Sequence, residues 1–134
     1  MDAFDNREYE GKRRHYEQEA KEKWGKTEAY AEYERKTKDR SDSTQKQLAA
    51  GLDAVFSEFA MCLQSGAAPQ DANAQGLVEK LQAYITDHYY TCTGKILAGL
   101  GQMYVCDERF RENIDRHAPG TAAFAAEAIR VYCE

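Results

Sequence analysis

Leucine, isoleucine and valine are absent from the first 47 residues of this 134-residue chain. A segment without aliphatic side chains has little to bury. Ordering it costs about 1–2 kcal/mol per residue in backbone entropy, and charged surface returns almost none of that. Other absences narrow the field. No apolar run approaches the roughly 20 residues of a membrane span. The N-terminus lacks the charged-then-apolar layout of a signal peptide, so the cytoplasm is the expected compartment. Basic excess is missing too: 18 Lys and Arg against 23 Asp and Glu leave a net charge of −5, which argues against a sequence-independent nucleic-acid surface. Cys62, Cys92, Cys106 and Cys133 form no CxxC pair and no zinc framework, and most of them read as small buried hydrophobes in a reducing compartment. No stretch alternates with period two for long enough to be a strand. The expected fold is all-α, in one domain large enough to bury a core.

What is present divides the chain. Residues 1–40 hold 11 basic and 11 acidic side chains, leaving seven of the 18 basic and twelve of the 23 acidic groups to the remainder. The acidic excess therefore belongs to residues 41–134. In the first segment Tyr9, Tyr16, Ala20 and Trp24 fall on one narrow face at about 100° per residue. Gly25 breaks that pattern, Thr27 is a candidate N-cap, and Tyr30 and Tyr33 make a second short face. Two readings stand for residues 1–40. They are surface helices resting on the domain through an aromatic stripe, or a lid of two helices that folds when an apolar molecule fills the space beneath its rings.

Residues 41–134 read as the core. Leu48, Leu52, Val55, Phe56, Phe59 and Leu63 predict an amphipathic helix from Ser41 or Ser43 to Gly66. Leu77, Val78, Leu81, Tyr84, Ile85, His88, Tyr89 and Cys92 predict a second, with Asp71 or Asn73 as its cap. A third runs through Ile96, Leu97, Leu100, Met103 and Tyr104. Asp107 caps a fourth that turns Phe110 and Ile114 inward, and Pro119-Gly120 introduces a last helix whose Phe124, Ala125, Ala128, Ile129 and Tyr132 are expected to face the core.

Three motifs carry a resemblance. Gly99-Leu100-Gly101-x-Met103-Tyr104-Val105-x-Asp107-x-Arg109-Phe110-x-x-Asn113-Ile114-Asp115, closing with Pro119-Gly120, resembles the signature of the TipAS antibiotic-recognition domain, the effector domain of a branch of MerR-type transcriptional activators. Trp24-Gly25-x-Thr27-x-Ala29-Tyr30 and His88-Tyr89-Tyr90-x-Cys92 are similar to two further elements of that family. The likeness spans residues from about 10 to the end. It implies a globin-like helical bundle whose cleft takes large, apolar, peptide-like antibiotics, chiefly thiopeptides, under N-terminal helices that close over the ligand. It also implies that DNA is reached through an N-terminal winged helix-turn-helix not found in this sequence. The full-length regulator is then expected to be a homodimer, and this length of chain a monomer.

The site expected on these grounds comprises Trp24, Tyr30, Tyr33, His88, Tyr89, Cys92, Gly99, Tyr104, Phe110 and Asn113. Gly99 and Gly101 cost a helix about 0.5–1 kcal/mol each relative to Ala. They open a shallow groove that Tyr104 and Phe110 wall and Asn113 lines with a donor and an acceptor, or they serve tight helix packing. The family members that trap thiopeptides covalently use a cysteine where this chain, aligned to them, has Gly99, so reversible capture is expected. Cys92, seven residues earlier and about two helical turns away on nearly the same face, is a weak substitute. His15, His88 and His117 lie in three segments, and none belongs to a nucleophile or metal motif. His88 and Cys92 make two ligands, fewer than the four of a closed zinc site. Neither catalysis nor a cofactor is expected. The alternatives are a free-standing drug-sequestering protein and a helical module that grips a partner peptide.

Overall fold

The structure, a computed structural model, describes residues 27–134. Among them are six helices and no strand: α1 Glu28–Thr37, α2 Asp42–Gln64, α3 Ala72–His88, α4 Gly94–Cys106, α5 Glu108–Asp115 and α6 Thr121–Tyr132. The all-α expectation holds. The aromatic face containing Trp24 lies outside the described residues, so of the two expected lid helices only the second, α1, is described.

Local chemistry sets the helix starts. The hydroxyls of Thr27, Ser41 and Thr93 accept from the third residue onward, at Tyr30, Thr44 and Ile96, and the Asp107 carboxylate accepts from Arg109 N. Asp71 occupies the N-cap position of α3 but turns its carboxylate backwards, accepting from Ala68 N at 2.9 Å and so closing the loop before the helix. At α6 the N-cap is Gly120, with φ +87°, a conformation L side chains rarely adopt. It has no side chain to offer, and Asp115 Oδ1 of α5 accepts from Ala122 N at 2.8 Å instead. That bond fixes the corner between α5 and α6.

The core is built around α6, which packs against α2, α3, α4 and α5. Ala122, Ala125 and Ala128 are fully buried on it, and small side chains let four neighbours approach one helix. Tyr132, expected to face the core, is exposed instead, at the helix's last residue. Val55, Phe56 and Phe59 of α2, Val78, Leu81 and Ile85 of α3, Leu97 and Tyr104 of α4 and Ile114 of α5 complete one contiguous cluster. Where α2 crosses α3, Tyr84 donates to Leu48 O at 2.7 Å across a surface opened by Gly51.

The second long helix ends sooner than its periodicity suggests. Tyr89 leaves helical geometry at φ −123°, ψ −60°, and residues 89–93 form a loop rather than a continuation. Gln82 Nε2 donates to Cys92 O at 2.8 Å, and Cys92 N donates to Thr86 Oγ1 at 3.0 Å. The loop thus folds back on the last turns of α3. Cys92 therefore sits in a loop before α4, not on a helical face shared with Gly99.

Candidate ligand site

Helix α1 contributes no buried residue. What holds it is polar and aromatic. Its charged stripe meets the C-terminal end of α3, where unpaired carbonyls favour cations. Lys36 Nζ donates to Thr86 O at 2.6 Å, and just beyond the helix Arg40 Nη2 donates to His88 O. Glu32 accepts from Thr91 N at 2.8 Å and from the Thr91 hydroxyl at 3.1 Å, with Lys36 at 3.3 Å. The Thr91 amide above all, with help from its hydroxyl and Lys36, holds the Glu32 carboxyl below its usual value.

The same contact assembles a ring cluster. Tyr30 and Tyr33 lie 5.8 Å apart, Tyr33 stacks on Tyr89 at 6.3 Å, and the Arg40 guanidinium sits 5.8 Å from the Tyr89 centroid. Tyr89 is partly buried and packs on the core beneath. The His88 ring turns to Tyr84 at 4.5 Å.

A second ring group lies within the bundle. Tyr104 is buried, meeting Phe56 edge-on at 5.2 Å, and Phe110 packs beside it at 5.9 Å. Asn113 is exposed on α5. The expected residues thus fall into an α1–α3 cluster of Tyr30, Tyr33 and Tyr89, and an α4–α5 cluster of Tyr104 and Phe110. Trp24 lies outside the described residues.

The two glycines of the signature do not share a groove. Two residues apart on a helix is about 200°, and the structure places them on opposite faces. Gly101 is buried, and a Cβ there would stand 3.1 Å from Ile129 Cγ2 of α6. Gly99 is exposed, with nothing within 4 Å of where its Cβ would be. Gly101 serves close packing, and Gly99 leaves open surface.

Cys92 is buried, and desolvation, with Cys133 adding to it, pushes its thiol up from 9.0 to about 11. Almost none is thiolate at neutral pH. Of the four cysteines, most of them expected to be buried, only Cys92 is: Cys106 is exposed and Cys62 and Cys133 are half-buried. Among the described residues no group of three or more His, Cys, Asp and Glu is placed to hold a metal ion. No described helix is long and apolar enough to cross a membrane. Arg40, Glu32, Lys36 and Thr91 escaped sequence reasoning. The spacing of Glu32, Lys36 and Arg40 at four residues was a signal, but their partners lie some 50 to 60 positions away.

An aromatic helix held by polar and ring contacts on an all-helical bundle is the class of fold, and comparison with known proteins gives it a family. The profile of the TipAS antibiotic-recognition domain matches residues 16–132, and the chain belongs to that family. It is 34% identical over 119 residues to the HTH-type transcriptional activator mta of Bacillus subtilis, covering 89% of this chain and 45% of that protein. It is 32% identical over 114 residues to the HTH-type transcriptional activator TipA of Streptomyces coelicolor, covering 85% and 45%. The chain thus spans less than half the length of these relatives. Among solved structures it resembles TipAS of Streptomyces lividans in complex with nosiheptide, described as part of a thiopeptide antibiotic multidrug resistance system. There the TM-score is 0.79 and the identity 30%, over 98% of this chain and 87% of that one.

Proposed function

We propose that this chain is the ligand-sensing domain of a MerR-type transcriptional activator, binding thiopeptides or other large, apolar, peptide-like antibiotics without catalysing a reaction on them. The observation that carries the reading is the likeness, over 98% of the chain, to a TipAS domain solved with nosiheptide. The docking of α1 supports it: a ten-residue helix with no fully buried residue, held by polar contacts and a few ring contacts, is cheap to move. Residues 1–40 act as the lid and residues 41–134 as the body. Tyr30, Tyr33 and Tyr89 supply contact area, together with Trp24 and Phe110, and the buried Tyr104 backs Phe110 from within the bundle. His88 and Gly99 border the site, and Asn113 offers it an exposed amide.

Ligand binding orders the lid, and order gained near the junction to an N-terminal winged helix-turn-helix reorients a homodimer on DNA. Capture is reversible, since Gly99 carries no thiol and the Cys92 thiol is buried and protonated. Isothermal titration with nosiheptide should show saturable binding, and intact-mass analysis under denaturing conditions should then return the bare chain. Absence of saturable binding to nosiheptide and thiostrepton overturns the sensor reading. A retained ligand mass overturns reversibility.

A further inference from the structure

Among the described residues, one buried side-chain nitrogen or oxygen has no hydrogen-bond partner: Nη1 of Arg40. The other arm of the same guanidinium donates to His88 O, and its central carbon lies 5.8 Å from the Tyr89 ring centroid. No ion pair among the described residues involves Arg40. A desolvated cationic donor left without an acceptor is costlier than a neutral one, and native structures rarely keep one without a use.

We infer that Arg40 is the polar anchor of the ligand site, donating from Nη1 to an acceptor on a planar, peptide-derived ligand that lies against Tyr30, Tyr33 and Tyr89. The acceptor is an amide carbonyl oxygen or an azole nitrogen. The surroundings select for that chemistry. Tyr30, Tyr33 and Tyr89 gather three phenol rings beside the Arg40 guanidinium, and a rigid planar donor next to aromatic rings recognises a flat group carrying a lone pair. Arg40 follows α1 directly and is bonded to the end of α3, so an acceptor on Nη1 would tie the ligand to both sides of the lid contact. Occupation of the anchor and closure of the lid are thereby one event. The inference rests on the antibiotic-sensing reading and adds to it the group that fixes orientation.

The test is titration of the full chain with nosiheptide in three forms: unsubstituted, Arg40→Gln and Arg40→Lys. Lysine keeps a cation able to reach His88 O and lacks the second nitrogen of the fork. Both variants should bind about tenfold more weakly, the loss expected for a hydrogen bond from a charged donor. Ligand-free hydrogen exchange of α1 in Arg40→Lys should match the unsubstituted chain. Binding by either variant within about twofold of the unsubstituted chain overturns the anchor. So does a weaker Arg40→Lys whose α1 also exchanges faster without ligand, because Arg40 would then only hold the helix. Failure of the unsubstituted chain to bind nosiheptide is a separate result, and it removes the sensing reading itself.

Discussion

The two glycines of α4 make a paired test, because the structure assigns them opposite signs. At Gly101 an added methyl would meet Ile129 Cγ2 at 3.1 Å and Ile129 Cβ at 3.3 Å. Ile129 is 1% exposed and β-branched, so it cannot swing aside. Overpacking of that kind costs about 1–3 kcal/mol, against which replacing a helical glycine returns about 1 kcal/mol. Gly101→Ala should therefore destabilise by about 1 kcal/mol. At Gly99 the methyl meets nothing, and Gly99→Ala should stabilise by about 0.5–1 kcal/mol from helix propensity alone. For a domain of this size 1 kcal/mol moves the midpoint by about 4 °C, so the variants should melt about 7 °C apart on either side of the parent. Thermal unfolding followed by far-ultraviolet circular dichroism reads this directly. A Gly101→Ala variant at or above the parent midpoint would refute the packing argument, and a destabilised Gly99→Ala would refute the assignment of that face to open surface.

Two titrating groups give further expectations. Cys92 has its folded value raised to about 11, so its contribution is intact below pH 9 and disappears as pH climbs from 9 towards 11. That amounts to about 3 kcal/mol at most, and urea unfolding at about pH 8 and about pH 10 should show an alkaline decline that Cys92→Ala makes shallower. Glu32 has its folded value lowered, so its latch on Thr91 is in force above its ordinary 4.5 and is released as pH falls through the lower folded value. Hydrogen exchange in α1 should accelerate, relative to its intrinsic rate, across that acid window. Glu32→Gln should abolish the step, and an unchanged step would show that another group holds the helix.

Much of the fold was legible because its determinants are local. Thr27, Ser41 and Asp107 announce helix starts within four residues of themselves, and the aliphatic period of α2 needs no partner to be seen. The end of α3 was not legible. Tyr89 and Cys92 keep the helical period, yet the loop is set by bonds from Gln82 and Thr86 that compete with helix continuation. The glycine pair looked like one feature in the sequence, and only the position of Ile129 separates them. At the site, aromatic type and spacing pointed to Tyr30, Tyr33 and Tyr89. Arg40 stayed hidden among the 11 basic residues of the first 40, because its significance lies in a missing acceptor, which no spacing reveals.

The account turns on whether α1 closes over a ligand. Hydrogen exchange of Glu28–Thr37, measured with and without saturating nosiheptide, tests this most directly. Slower exchange in α1 with ligand, beyond any change in the core helix α6, is the predicted result. Saturable binding that leaves α1 exchange unaltered would contradict it.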